Sequence, residues 1–217
     1  MKNKRILILC LTLGLVALTG FGATLAYLTS NTDTLHNKFT FSKGIEMQLD
    51  EDDVDKDTHL PIAGKENSII AGEDKNGNTY DNVLPNEVLP KDPTVTIKAN
   101  SPDCYVFVSV KNPSSNILTV NMNTMNWREV GKESDTTYYV YTEAKTNNPK
   151  VVDSKTADTR LEPVFKTVTV TDVIEGENPE ISDIVVKASA IQSKVGTENS
   201  YDTVKNEGLS LLGYNAN

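Results

Sequence analysis

Apolar and polar residues alternate with a period of two along much of the chain after residue 34. In residues 45–50, Ile45, Met47 and Leu49 alternate with polar side chains, as in a strand with one buried face. Residues 105–110 are apolar on both faces, which predicts a central strand. Enrichment in Thr, Val and Tyr, residues that favour strands, predicts further strands at 93–99, 136–141, 164–170 and 184–191.

The segments between these strands carry few helical patterns. Residues 50–57 contain six acidic residues in eight, so we expect a solvated loop. Residues 58–92 are rich in Gly, Pro, Asn and Asp, which predicts an irregular excursion with one or two short hairpins. Residues 201–212 have apolar residues spaced for one helix face, although Gly208 weakens the pattern.

Short strands without intervening helices predict an all-β protein, an antiparallel β-sandwich with a short C-terminal helix. We expect one domain over 42–217, with the irregular excursion at 50–92. Met122, Met125 and Trp127 are expected to close one end of its core.

The first 26 residues have the pattern of a secretory signal peptide. Three basic residues precede an apolar run at 6–18, and small residues follow it. Thr24 and Ala26 supply the small side chains that a signal peptidase needs, which makes Tyr27 the first mature residue. Cleavage at Ala23 and an uncleaved N-terminal anchor are the alternatives. We therefore expect a secreted protein of the extracellular matrix or cell surface.

Removal of this peptide makes the chain more acidic. The whole chain has 21 basic and 30 acidic residues; three basic and no acidic residues lie in 1–26, which leaves 18 against 30, a net charge of −12. Such a charge disfavours nucleic acid and anionic membranes as partners of the mature protein. Cys10 leaves with the peptide, so Cys104 has no intramolecular disulfide partner and is expected to be a half-buried apolar residue.

Patterns that carry catalysis are absent from the sequence. His36 and His59 are its two histidines, each in a polar stretch without the His-Glu-x-x-His spacing of a zinc peptidase. We interpret both as solvated surface residues and expect no enzyme activity and no cofactor. Calcium is the inorganic alternative, because 50–57 and 74–81 supply oxygen ligands, although neither matches an EF-hand loop. A solvated charge run and an Asn–Gly hairpin explain both without metal.

Two N-terminal motifs together resemble the TasA/camelysin family of secreted Gram-positive proteins. The first is Gly22-Ala-Thr-Leu-Ala-Tyr-Leu-Thr-Ser30, and the second is Phe39-Thr-Phe-Ser-Lys-Gly-Ile-Glu-Met-Gln-Leu49. Residues 84–94 and 184–191 are also similar. The resemblance implies a jelly-roll-like sandwich, export through the signal peptidase SipW, and a biofilm-matrix fibre whose subunits insert their N-terminal segments into one another.

The segment 27–41 has the composition for such an exchange. A polar stretch precedes Leu35, Phe39 and Phe41, which share one parity and would pair with an exposed sheet edge of a second copy. The alternative is that 27–41 forms the first strand of its own domain.

We therefore expect a homopolymeric fibre subunit. The rival function is a binding module, an adhesin or carbohydrate-binding sandwich, with a contact surface formed by the 50–92 excursion and exposed Tyr138, Tyr139 and Tyr141. A camelysin-like metallopeptidase ranks third.

Overall fold

The computed structural model describes residues 29–31, 44–73, 77–171, 181–195, 198–199 and 201–215. Its elements, in chain order, are β1 (Thr29–Asn31), β2 (Met47–Glu51), β3 (Ile69–Ile70), β4 (Val88–Pro90), β5 (Thr94–Ile97), β6 (Ser101–Lys111), β7 (Leu118–Met122), β8 (Trp127–Glu133), β9 (Thr136–Tyr141), β10 (Val152–Ser154), β11 (Thr159–Arg160), β12 (Phe165–Val170), β13 (Val185–Gln192), β14 (Lys194–Val195), β15 (Glu198–Asn199) and the helix α1 (Tyr201–Ser210).

Antiparallel pairing joins these strands into three larger sheets. One sheet has the order β1-β13-β6-β9-β8, with β10 beside the start of β6. A second has the order β11-β5-β2-β3, and a third the order β4-β12-β7. The short strands β14 and β15 form a separate ladder. The predicted all-β, antiparallel fold with one short C-terminal helix is confirmed.

The main core lies between the first sheet and the other two. Val106, Val108 and Val110 of β6 face it, together with Ala188 and Ala190 of β13. The opposing side chains include Leu49, Val95 and Ile97 from the second sheet and Phe165, Val168 and Val170 from the third. Because strand residues of one parity share a face, this arrangement is a sandwich of two layers.

The helix α1 covers the other face of the first sheet. Tyr105 and Phe107 of β6 alternate with the core valines and pack against Val204 and Leu209 of α1. The strand β6 is therefore covered on both sides and lies between β13 and β9. This confirms the central strand that the two-faced apolar run at 105–110 predicted.

The end of the core differs in part from expectation. Trp127 is almost fully buried, and its indole N–H donates to the Glu162 carbonyl at 3.1 Å. Met122 is partly buried against the same core. Met125 is 52% exposed and does not close the core, because it lies in the turn between β7 and β8.

Candidate functional site

The segment predicted for strand exchange is described over three residues. Thr29–Asn31 forms β1 and pairs antiparallel with β13, Thr29 opposite Ile191 and Asn31 opposite Ser189. This short stretch therefore lies at the edge of the chain's own first sheet. The other predicted site residues lie outside the described residues: Thr24, Ala26, Tyr27, Leu35, Phe39 and Phe41.

The start of β13 leaves apolar side chains at the surface. Val185 is 40% exposed and Ile181, just before the strand, is 39% exposed. Val185 shares its parity with Ile191, which faces α1, whereas Ala188 and Ala190 face the main core. The edge of β13 that pairs with β1 therefore has exposed apolar side chains near its N-terminal end.

A groove of about 550 Å³ opens beside this end of β13. Its walls come from β2 and β3, from residues 77–93, from β7 and β12, and from residues 181–186. Most of its lining is aliphatic, with a polar group at one side formed by Glu51, Asn78 and Lys91. The groove therefore combines apolar area with a few directed polar atoms.

Glu51 is the centre of that polar group. Its Oε2 accepts from Lys91 Nζ at 2.7 Å, and its Oε1 accepts from Asn78 Nδ2 at 3.2 Å. The Glu51 side chain is 7% exposed and that of Lys91 is 14% exposed. Asn78 Oδ1 accepts from the Val54 backbone N–H at 2.8 Å. Each polar atom of this group has a defined partner.

Asp50 precedes Glu51 and is also buried. Its Oδ1 accepts from Arg160 Nη1 at 2.7 Å. The interpretation of 50–57 as a wholly solvated loop is therefore wrong for its first two residues and for Val54, all of which are buried. Asp50 and Glu51 end β2, and cations far away in sequence neutralise them, so burial is compatible with their charge.

Burial also perturbs two groups near Glu51. It raises the pKa of the Asp92 carboxyl, partly opposed by the hydrogen bond from the Asp52 N–H. It likewise raises the pKa of the Tyr80 phenol, and the Glu51 charge adds to the effect. The Tyr80 hydroxyl donates to the Pro90 carbonyl. Water therefore solvates this side of the groove poorly.

His59 is buried, and its interpretation as a solvated residue is wrong. Its Nδ1 lies 2.6 Å from Glu87 Oε1, and its Nε2 lies 2.8 Å from the Asp81 carbonyl oxygen. Both ring nitrogens face acceptors, an arrangement that suits the protonated ring, in which both nitrogens donate. The hydrogen bond to Glu87 raises the pKa of His59, burial opposes this, and the Asp81 carbonyl adds to it. The same hydrogen bond, followed by that from the Leu84 N–H, lowers the pKa of Glu87.

The three tyrosines proposed as a contact surface are mostly buried. Tyr138 packs against Tyr214 with ring centroids 4.8 Å apart, and Tyr141 packs against Trp127 at 5.0 Å. Tyr139 is half-buried against the main core. The expected exposure is wrong because both faces of β9 are covered, one by the core and one by the segment after α1.

Cys104 is fully buried, more deeply than expected. Burial raises the pKa of its thiol to about 12, and the nearby Asp103 charge contributes. The thiol is therefore an apolar core group at neutral pH.

Within the described ranges, no group of three His, Cys, Asp or Glu side chains is placed to hold a metal ion. The 74–81 run considered for calcium lies partly outside those ranges. No helix in the described part of the chain is long and apolar enough to cross a membrane.

The buried polar group gave little local signal in the sequence. Lys91 lies 40 positions from Glu51, and Arg160 lies 110 positions from Asp50. Pairing over such distances follows from the order of strands in the sheet, which the alternation pattern does not contain.

No family model, no curated protein and no solved structure matches this chain.

Proposed function

We propose that this chain is a secreted structural protein, a subunit of a biofilm-matrix or cell-surface fibre that assembles by exchange of segment 27–41. The observation that carries the proposal is the pairing of β1 with β13. It places part of the segment on a sheet edge that accepts a strand by backbone hydrogen bonds. A second copy of the same segment would take this place on β13 once the chain's own residues 29–31 leave it.

The register of this pairing defines which side chains would meet. Asn31 lies opposite Ser189, and each further residue along the segment moves one position back along the acceptor. A neighbour's segment in the same register would place Leu35 opposite Val185, the first residue of β13, and Phe39 level with Ile181, four positions before that strand. Both acceptor side chains are exposed and apolar. Burial of each large apolar side chain contributes about 1.5–3 kcal/mol, which favours the paired state.

Processing supplies a control step for this assembly. While residues 1–26 remain attached, the segment stays close to the membrane. Cleavage after Ala26 releases it, and an extended chain of 15 residues reaches about 50 Å, enough to cross to a neighbouring subunit. SipW is the expected peptidase, through the resemblance to the TasA/camelysin family.

Cysteine cross-linking tests the exchange and its register. Leu35→Cys combined with Val185→Cys should give a ladder of disulfide-linked oligomers in fibres seen by electron microscopy. His36→Cys combined with Val185→Cys is the matched control, because a one-residue shift points the side chain to the opposite face. Disulfides confined to monomers, with no filaments at any concentration, would contradict the proposal.

The groove favours a second candidate, a β-sandwich binding module. Its volume of about 550 Å³ lies within the range of ligand sites, about 300–1,000 Å³. The 50–92 excursion supplies much of its wall. Tyr138 and Tyr141, the aromatic part of the predicted contact surface, are buried elsewhere. A stable monomer that binds a glycan through this groove would favour this candidate over the fibre.

A further inference from the structure

One carboxylate, that of Glu51, contacts both an amine and a carboxamide. Its two oxygens accept hydrogen bonds from Lys91 Nζ at 2.7 Å and from Asn78 Nδ2 at 3.2 Å. These are the groups that combine into an amide when the carboxamide loses ammonia. We infer that Lys91 and Asn78 form an intramolecular isopeptide bond, with Glu51 transferring the protons.

The carboxamide is held in the orientation that this reaction needs. Asn78 Oδ1 accepts from the Val54 N–H at 2.8 Å, so a backbone donor already faces the oxygen on which negative charge would develop. Asn78 Nδ2 faces Glu51 Oε1, so the leaving nitrogen faces a proton donor once the carboxylate is protonated. Nδ2 also donates to the Asp52 carbonyl at 2.8 Å, which keeps the amide plane in place.

The Lys91–Glu51 pair lies in surroundings with little water. Both side chains are largely buried, and the aliphatic side chains of Val83 and Leu89 line the same groove. The raised pKa of the neighbouring Tyr80 phenol, caused mainly by burial, indicates poor solvation there. Transfer of a proton from the ammonium to the carboxylate removes two charges from this site and creates a nucleophilic amine.

The reaction balances without an oxidant or a cofactor. A proton passes from Lys91 Nζ to Glu51, and the neutral Nζ attacks Cγ of Asn78. The Val54 N–H stabilises the oxyanion on Oδ1. Glu51 then returns its proton to Nδ2 and takes the second proton from Nζ, the Cγ–Nδ2 bond breaks, and ammonia leaves through the open groove. The product is an Nζ–Cγ amide, and Glu51 is a carboxylate again once the ammonia takes up the remaining proton.

This bond would join the loop that carries Asn78 covalently to the end of β4 in the third sheet. Lys91 directly follows β4, which pairs with β12, whereas Asn78 is bound to the loop after β2. The inference does not depend on the proposed fibre, since it concerns the chemistry inside one subunit. A monomeric binding protein with this bond would support the inference and contradict only the fibre.

Peptide mass analysis of the mature protein, digested under denaturing conditions, tests the bond. Without it, trypsin cleaves after Lys91 and gives peptides 76–91 and 92–98. With it, cleavage there is blocked, and peptide 76–98 appears with the mass of one ammonia lost. Further cleavage after Glu87 opens the ring between the two residues, yet pieces 76–87 and 88–98 should stay joined. Their separation would overturn the inference.

Two variants distinguish isopeptide formation from other reactions that release ammonia. The Asn76–Gly77 step can also lose ammonia by cyclising on its own backbone, but Lys91→Arg leaves that reaction unchanged and removes the isopeptide. Glu51→Gln should leave both pieces separate, since Gln accepts no proton from the amine. A joined peptide in Glu51→Gln would overturn the role of Glu51, and circular dichroism of Lys91→Arg checks that the fold is intact.

Discussion

At Gly208 the helix α1 lies close against the sheet that it covers. A Cβ at this position would lie 2.5 Å from Phe107 Cε2 and 2.7 Å from Cδ2, and the Phe107 ring is fully buried. The glycine that weakens the helical pattern in the sequence is therefore the residue that lets the helix approach. At this position, the need for close packing against Phe107 outweighs the low helix propensity of glycine.

Gly208→Ala should consequently lower the free energy of unfolding by about 1–2 kcal/mol. Alanine gains about 1 kcal/mol of helix propensity, but overpacking a rigid core costs about 1–3 kcal/mol, and a contact this short lies at the upper end. Urea denaturation measures the change. Gly44→Ala is the control, because nothing lies within 4 Å of a Cβ there. An unchanged midpoint for Gly208→Ala would mean that Phe107 moves freely.

The buried carboxylate of Asp50 gives a second prediction. Its side chain is 1% exposed, and Arg160 is its cationic partner. Arg160→Ala should destabilise the fold by about 2–4 kcal/mol, because removal of one partner leaves a buried charge uncompensated; the 38% exposure of Arg160 moderates the cost.

Lys98→Ala is the matched control for Arg160→Ala. Lys98 pairs with Asp158 at 3.3 Å, with the Asp158 side chain half exposed, and such a surface pair contributes at most about 1 kcal/mol. Thermal unfolding of both variants compares the two pairs. Equal losses would show that water compensates Asp50 when Arg160 is absent.

Local patterns did not predict these residue-level features. Asp50 is followed by acids, and His59 follows a run of charged and polar residues, so each has the signature of a solvated residue. Both are buried because partners from distant parts of the chain satisfy them, Arg160 for the first and Glu87 for the second. The burial of a charged side chain depends on its tertiary neighbours, which a single sequence does not display.

At the scale of secondary-structure elements, prediction and structure agree best where apolar and polar residues alternate most regularly. The strand β9 coincides with the predicted 136–141, and β13 lies within one residue of the predicted 184–191. The strand β8 was not predicted, because Trp127–Glu133 has charged residues at most of its positions. It lies at the end of the first sheet and its register shifts at Val130, so it needs no apolar alternation.

The His59–Glu87 pair joins two turns of the 50–92 excursion, and its titration predicts how their stability depends on pH. The pKa of His59 is raised, so its contribution is full below the unfolded value of about 6.5 and is lost as pH rises through the folded pKa. The pKa of Glu87 is lowered, so its contribution is full above about 4.5 and is lost as pH falls through its folded pKa. The pair therefore stabilises the fold most between about pH 4.5 and 6.5.

His59→Gln should be less stable than the wild type within this window, and the difference should shrink at alkaline pH as the wild-type ring loses its proton. Urea denaturation across the pH range measures the difference. His36→Gln is the control, because it removes the other histidine of the chain. A difference that stays constant with pH would mean that Glu87 binds a neutral ring.

At the scale of the whole molecule, the sequence predicted the architecture better than the site. Tyr105 and Phe107 alternate with valines, and this two-faced pattern required a cover on each side of β6, supplied by the opposing sheets and by α1. By contrast, the Glu51–Asn78–Lys91 group depends on how a loop and a strand end return to β2. The alternation of apolar and polar residues determines which face of a strand is buried. The tertiary path of the chain determines which polar groups come into contact.

The proposed assembly concerns the whole molecule, and removal of 27–41 tests it most directly. We expect the mature protein to form filaments and the deletion variant to remain soluble, because the acceptor edge at β13 then lacks its complementary strand. Phe39→Asp combined with Phe41→Asp should also abolish filaments while leaving the fold closer to the wild type, since charged side chains oppose burial against an apolar surface.

The matched control places the same two charges elsewhere on the subunit. Leu60→Asp combined with Leu84→Asp removes two apolar side chains, each 65% exposed, and adds the same charge outside 27–41. We expect this variant to form filaments at wild-type concentrations in electron micrographs, because neither residue belongs to the exchanged segment or to β13. If both double variants lose filaments alike, added charge alone prevents association. If the deletion variant polymerises as readily as the mature chain, exchange of this segment is wrong.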